Sequence, residues 1–156
     1  MFNPDTTPVS IFMPSLETAA RSLKVELIIA PVHSDVEIET AIVALGREPG
    51  GGLFVMPDVF MLVHRASIIL AVARSNVPAV YWQSPFTRGG GLLSYGPDSV
   101  DNFRRAATLV DRILRGVKAG DLPVQFPVKY EMAVNLRTAK ALGLTVPHRF
   151  CCAPPR

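Results

Sequence analysis

Helical and strand patterns alternate along this chain, and that alternation restricts the possible folds more than any other feature. The order read from the sequence is helix, strand, helix, strand, helix, strand, strand, helix, strand, helix. Such alternation is typical of a parallel sheet with helices on both of its faces. The sequence therefore predicts an α/β fold, with a three-layer αβα, Rossmann-like parallel sheet.

The individual elements follow from hydrophobic spacing and from capping residues. Ser34 or Asp35, Asp98 and Asn135 are the predicted N-caps, because short polar side chains accept hydrogen bonds from the first free amides of a helix. Pro14 is compatible with the first helix only near its first turn. The predicted helices are 9–23, 35–45, 60–74, 99–117 and 136–142, and the predicted strands are 25–30, 53–56, 79–82, 92–95 and 130–134. A stripe at helical spacing in the fourth helix is predicted to face the core; it comprises Val100, Phe103, Ala107, Val110 and Leu114.

Size and composition indicate one folded unit. The 156 residues, 49% apolar and 19% charged, suit a single domain with a sizeable core, so disorder is excluded. We assign residues 1–147 to one α/β lobe and residues 148–156 to an irregular tail. Polar and charged residues interrupt the apolar stretches before they reach the roughly 20 residues of a membrane span. The net charge of +3 is spread along helices, which argues against nucleic-acid binding.

No catalytic or metal-binding pattern stands out. His33, His64 and His148 lie far apart, and the adjacent Cys151 and Cys152 lack the spaced ligands of a zinc site. The two Gly-Gly-Gly triplets precede no Lys-Ser or Lys-Thr pair, so neither is a P-loop. We therefore expect no enzyme activity, no metal and no cofactor.

The remaining candidates are binding residues after the strands, where ligands of α/β folds bind. Asp58 is either a partner for a ligand's cationic group or a helix N-cap, and one residue can serve both roles. Tyr81 offers a flat surface for a ligand or simply packs in the core. Tyr95 and Asp98 flank a Gly-Pro turn, and Asp98 is first of all a cap.

Several segments, taken together, carry a resemblance to a known family. They are Phe2–Pro4, Met56–Asp58, Gly90–Pro97, Arg104–Ala107, Val110–Gly116, Asp121–Gln125 and Val134–Leu144. In combination they resemble the ABC transporter substrate-binding protein family related to the tryptophan- and tyrosine-type binding proteins. The resemblance implies a type I-like periplasmic-binding-protein fold, with two α/β lobes joined by a hinge, of which this chain is the C-terminal lobe with its first strand truncated.

The resemblance also implies a function. It implies a solute-binding component of an importer that closes its cleft on a small organic ligand such as an amino acid and is read by an ABC permease. We expect Asn3, Asp58, Tyr81 and Tyr95 to line the cleft, with Asp98 as a weaker candidate. Residues 91–120 are expected to pack partly against the first lobe, so that without this lobe the apolar stripe of the fourth helix would face water.

The family and the N-terminal sequence predict different locations for this protein. The family implies a periplasmic protein, whereas the N-terminus has neither the basic nor the apolar region of a signal peptide, so the chain as written would stay in the cytoplasm. Unpaired strand edges predict a homodimer, and exchange of elements between the two copies is one way to form it. The alternatives are a truncated or oligomeric structural protein without a ligand and a small α/β enzyme.

Overall fold

The computed structural model describes residues 1–147 and Phe150; the rest of the predicted tail, with His148, Cys151 and Cys152, lies outside the described residues. Seven α-helices, one 3-10 turn and four strands form in this part of the chain. The helices are α1 (Val9–Leu23), α2 (Asp35–Gly46), α3 (Val59–Val63), α4 (Arg65–Arg74), α5 (Ser84–Arg88), α6 (Ser99–Leu114) and α7 (Leu136–Ala141); the 3-10 turn is Ala119–Asp121; and the strands are β1 (Leu53–Phe54), β2 (Ala79–Tyr81), β3 (Leu93–Pro97) and β4 (Tyr130–Val134).

The four strands form one mostly parallel sheet in the order β1-β2-β3-β4, which confirms the α/β prediction. The first three strands are parallel, but β4 runs antiparallel to β3. A parallel partner needs a connection that returns to the starting end of the strand. Here the connection through α6 leaves and returns at the same end of β3, where Asp98 N donates to Lys129 O at 2.9 Å. This geometry explains the reversed direction of β4.

The prediction of a strand over 25–30 is wrong, because this segment has almost no neighbouring backbone with which to form hydrogen bonds. Its end is joined to Phe2 by one parallel bridge at Pro31. Phe2 N donates to Ala30 O at 3.2 Å, and Val32 N donates to Phe2 O at 2.9 Å. On its other side, Met1 O accepts from Met56 N at 3.1 Å. The short segment Met1–Phe2 therefore lies between the 30–32 segment and the end of β1.

The hydrophobic core lies between the sheet and the helices α2, α4 and α5. Side chains with no exposed surface fill it, and they are Ile38, Ile42, Val55, Met61, Ile68, Tyr81 and Phe86. The helix predicted over 60–74 divides at His64, whose Nδ1 lies 2.9 Å from Asp35 Oδ1 on α2. Helix α5 was not predicted. Pro14 lies in the second turn of α1 and not in the first, as had been expected. It is exposed, so the amide that it lacks is missing from the solvent side of the helix.

Helix α6 contributes nothing to the core. None of its residues is buried, and Phe103 and Leu114 are 77% and 81% exposed. The prediction from spacing that its apolar stripe faces the core is therefore wrong for the described chain, and the expectation that the stripe faces water is confirmed. Val100 and Val110, on the same stripe, are also exposed, so the stripe faces solvent in the described chain. None of the helices within residues 1–147 combines the length and the apolar character needed to cross a membrane.

Candidate functional site

The carboxyl ends of the parallel segments define one edge of the sheet. Phe2 is parallel to Pro31, and β1, β2 and the start of β3 are parallel to one another. Ligands of open α/β sheets bind beyond this edge. The loops that begin at Asn3, Met56 and Trp82 therefore form the candidate site, which we call the carboxyl edge.

Asp58 is the centre of the polar contacts at the carboxyl edge. Its Oδ2 accepts from Asn3 N at 3.0 Å and from Thr7 Oγ1 at 2.8 Å. Its Oδ1 accepts from Thr6 Oγ1 at 2.7 Å and from Phe60 N at 2.8 Å. The bond to Phe60 caps α3, which confirms the N-cap prediction. Four donors occupy the two oxygens, and a carboxylate has about four lone-pair sites.

This network determines the protonation of Asp58, which is only 7% exposed. Burial acts to raise the pKa of the carboxyl, since the charged form loses water. The four hydrogen bonds from Thr6, Asn3, Thr7 and Phe60 outweigh that effect and hold the pKa below its ordinary value. Asp58 is therefore a charged residue that ties the loop after Phe2 to the loop after β1.

Asn3 is held from several directions and is 5% exposed. Besides the bond from its amide to Asp58, its carbonyl oxygen accepts from Thr6 N and Thr7 N, at 3.3 and 2.9 Å. Its side-chain Oδ1 accepts from Asp5 N at 2.8 Å. The carboxamide orientation is thereby fixed, since an amide donor must face the oxygen. Asn3 and Asp58, two of the predicted site residues, lie in direct contact.

Tyr81 differs from the expectation that it lines the cleft. Its side chain has no exposed surface, and its ring stacks on Phe86 with centroids 4.6 Å apart. The hydroxyl has no hydrogen-bond partner within the described residues, and burial raises the pKa of this phenol. The structure thus favours the alternative, core packing. The neighbouring Trp82 is half-buried, and its ring packs at an angle on Phe86, at 4.9 Å.

Tyr95 lies on an exposed face of the sheet, away from the Asn3–Asp58 contact. Its ring stacks on Tyr130 of β4, with centroids 5.7 Å apart, and the two side chains are 57% and 49% exposed. The neighbouring Met132, which is paired with Tyr95 across the strands, is 41% exposed. Tyr95, Tyr130 and Met132 form an open apolar surface that we call the aromatic face.

Asp98 caps α6, as predicted, by accepting from Asp101 N at 3.1 Å. Its Oδ2 also lies 2.7 Å from Lys129 Nζ. The hydrogen bond from Lys129, followed by that from Asp101, lowers the pKa of the Asp98 carboxyl. The ion pair joins the two ends of the β3–β4 connection, which contains α6.

Sequence reasoning did not single out Thr6 and Thr7, whose hydroxyls complete the Asp58 network. Two adjacent threonines soon after Asn3-Pro4 were the available signal, because a hydroxyl can donate a hydrogen bond to a carboxylate. A second polar group at this edge joins His33 to Glu37, at 3.2 Å between Nδ1 and Oε2. Within residues 1–147, no group of three or more His, Cys, Asp or Glu side chains is placed to hold a metal ion.

Comparisons with solved structures show the same fold. A conserved domain protein from Vibrio cholerae O1 biovar El Tor superposes with a TM-score of 0.84 at 21% identity, over 96% of this chain and 50% of that one. The ABC domain from Streptococcus pneumoniae, solved in complex with L-Trp, gives a TM-score of 0.83 at 18% identity, over 96% and 52%. The ligand-free, open structure of a substrate-binding protein with adhesive properties from Clostridium difficile gives 0.67 at 18% identity, over 94% and 50%.

The chain spans about half the length of these structures. Fold and coverage together define it as a single lobe of the periplasmic-binding-protein type. The sequence model of the ABC transporter substrate binding protein family matches residues 1–155. The chain belongs to this family, as its sequence motifs predicted. No curated protein matches the sequence.

Proposed function

We propose that this chain acts as the C-terminal, solute-binding lobe of an ABC-type importer and binds a small organic ligand at its carboxyl edge. The family match over residues 1–155 carries this proposal. The proposed mechanism is binding, closure of a cleft on the ligand and release, without bond chemistry. In a two-lobed member of the family, an ABC permease would read the closed form outside the cytoplasm, as is general for such systems.

An amino acid is the ligand class that we propose. The Streptococcus pneumoniae structure was solved with L-Trp, and the loops of the carboxyl edge here carry the buried charge of Asp58 and the half-buried aromatic residues Phe60 and Trp82. A ligand ammonium group can reach Asp58 only if one of its four donors leaves. Thr6 is the donor best able to leave, because it is an exposed residue whose hydroxyl can turn to water. Asn3 would then position Asp58 beneath the ligand.

The first lobe would cover the outer surfaces of the chain. The matching structures are about twice as long, and α6 exposes its whole apolar stripe. The segment after α6 is equally exposed, with Val124 at 89% and Phe126 at 81%. We therefore propose that residues 91–120, with Tyr95 on the aromatic face, pack towards a first lobe and form the hinge side of the cleft.

Calorimetric titration of the chain with aromatic and branched amino acids tests the binding proposal. A two-lobed protein that binds its ligand with a Kd of about 1 μM has a binding free energy of about −8 kcal/mol. If one lobe supplies half of this free energy, its Kd is about 1 mM. We expect weak heats for at least one amino acid and none for Asp58→Ala, titrated at a temperature at which circular dichroism shows the variant to be folded. The matched control Asp111→Ala changes an exposed carboxylate paired with Arg115 on α6 and should bind as the parent does. Silence across the panel would favour the alternative of a structural protein without a ligand.

Self-association is a second proposal, supported by the same exposed surfaces. When no first lobe is available, the α6 stripe can be buried against the α6 stripe of a second copy, giving a homodimer with twofold symmetry. Light scattering across a dilution series is expected to show a dimer that dissociates, and Phe103→Lys should weaken it. A monomer at high micromolar concentration would contradict this second proposal and leave the ligand proposal unaffected.

A further inference from the structure

The outer face of α2 is an exposed surface that the proposed solute site does not use. It is the side of the helix opposite Ile38 and Ile42, which are fully buried in the core. Val36 and Val43 on this face are 73% and 38% exposed. A shallow groove of about 330 Å3 runs along the face, and it is lined by Val36, Glu39, Thr40, Val43, Ala44 and Arg47. At about 3.6 residues per turn, these positions share one side of the helix.

This face lies at the other end of the sheet from α6. Helix α2 leads into β1, which is one edge strand, and it packs on α4. Helix α6 instead connects β3 to β4, which is the opposite edge strand. A partner on α2 therefore does not compete with a partner on the α6 stripe. An inference about α2 depends neither on solute binding nor on what covers α6.

The two charged groups of the outer face lie at its two ends. Glu39 and Arg47 are each four residues from Val43, which lies midway between them. The Arg47 guanidinium has no hydrogen-bond or ion-pair partner in the part of the chain that the structure describes. Glu39 Oε1 lies 3.9 Å from Arg74 Nη1, but both side chains are mostly exposed, so this ion pair is weak. Both charges are thus available to a partner.

This arrangement is complementary to itself about a twofold axis. In an antiparallel pair of α2 helices with the axis at Val43, Glu39 of each copy lies level with Arg47 of the other copy. At about 1.5 Å per residue, the two ion pairs lie about 6 Å on either side of the contact between the two Val43 side chains. A parallel pair would place like charges opposite each other, which is unfavourable. The charges therefore select the antiparallel pair.

We propose that the outer face of α2 binds the same face of a second copy, forming an antiparallel homodimer with twofold symmetry. The valines supply the apolar contact at the centre, and the two ion pairs set direction and register. One helix face is small compared with the roughly 800 Å2 per partner of a standard stable interface, so the dimer is weak and reversible. An anionic membrane fits this face less well, because the face carries one charge of each sign.

Sedimentation velocity in a Phe103→Lys background tests the proposal. That substitution disrupts the α6 stripe, so association through α6 does not mask association through α2. In a dilution series up to about 1 mM chain, we expect a monomer–dimer equilibrium, with concentration-dependent amide NMR shifts at Val36, Val43 and Arg47. Val43→Lys places two like charges at the axis and should weaken the dimer by about tenfold or more.

Charge variants test the twofold pairing itself, at low salt so that exposed charges are little screened. Arg47→Glu alone converts two attractive pairs into two repulsive ones and should weaken the dimer by about tenfold, and Glu39→Arg should do the same. The double variant Glu39→Arg/Arg47→Glu restores opposite charges and should recover the parental Kd to within about twofold. Glu17→Arg, an exposed charge reversal on α1, is the matched control and should leave the dimer unchanged.

The changed residues on α1 and α2 are all exposed, so these variants should fold as the parent does, which circular dichroism checks. Three results would overturn the proposal: a monomer at about 1 mM chain, a dimer that Val43→Lys leaves intact, or a double variant that is as weak as the single ones. Concentration-dependent shifts confined to a surface other than α2 would assign the dimer to that surface and would also overturn the proposal.

Discussion

Replacement of Asp58 by alanine removes the acceptor for four hydrogen bonds at the carboxyl edge. Asn3 N and Thr7 Oγ1 are buried, and each buried donor left without a partner costs about 1–3 kcal/mol. Loss of the cap at Phe60 N costs about 1 kcal/mol more. We therefore expect Asp58→Ala to lower the free energy of unfolding by about 4 kcal/mol, a large part of the roughly 5–15 kcal/mol that stabilises a typical domain.

Urea unfolding followed by the fluorescence of Trp82, the single tryptophan, measures this loss. Because hydrogen bonds hold the pKa of Asp58 below its ordinary value, its contribution is present above about pH 4 and is lost as the pH falls through the folded pKa. The variant should therefore lose less stability than the parent in this acid range. Asp111→Ala, which breaks an exposed pair with Arg115, should cost less than about 0.5 kcal/mol. A loss below about 1 kcal/mol for Asp58→Ala would refute the network as a stabilising element.

Three further predictions concern other parts of the chain. Gly96→Ala should prevent stable folding, because its Cβ would overlap Trp82 O, whereas Gly120→Ala meets no atom within 4 Å and should be neutral; thermal melts compare the two. Burial lowers the pKa of the Met1 amine from 8.0 to about 6, so between pH 6 and 8 the unfolded chain binds more protons than the folded chain. The free energy of unfolding should therefore rise by up to about 3 kcal/mol from pH 6 to 8. N-terminal acetylation should remove this pH dependence when it is measured by urea unfolding. Phe103→Lys, at an exposed site on α6, should change the free energy of unfolding of the monomer by less than about 0.5 kcal/mol while lowering the apparent mass in light scattering.

The parts of the fold that depend on local chemistry were predictable from the sequence. Ser34, Asp98 and Asn135 cap their helices as expected, because a cap is a bond between a side chain and amides two or three residues away. The sequence segments Met56–Asp58, Gly90–Pro97 and Val134–Leu144 also indicated the family. Helix α5 was missed because its five residues, with Pro85 in the first turn, are too few to show a hydrophobic period.

The parts that depend on distant partners were not predictable. Residues 25–30 have the composition of a strand, but a strand exists only beside another, and Phe2 supplies a single bridge. The stripe of α6 has the spacing of a core helix, and spacing alone does not say which surface covers it. For Tyr81, the three residues of β2 alternate between faces, and only the packing of Phe86 shows that its ring points into the core.

The most direct test of the central claim is an amide NMR titration of the chain with L-tryptophan and L-leucine. A solute-binding lobe predicts shifts that saturate with a Kd of about 1 mM for one ligand and concentrate at Asn3, Thr7, Asp58 and Phe60, with the outer face of α2 unmoved. Two results would contradict the assignment of that edge as the ligand site. One is a set of shifts scattered over exposed apolar residues that do not saturate. The other is the absence of shifts at the carboxyl edge at a ligand concentration about 10-fold above the expected Kd.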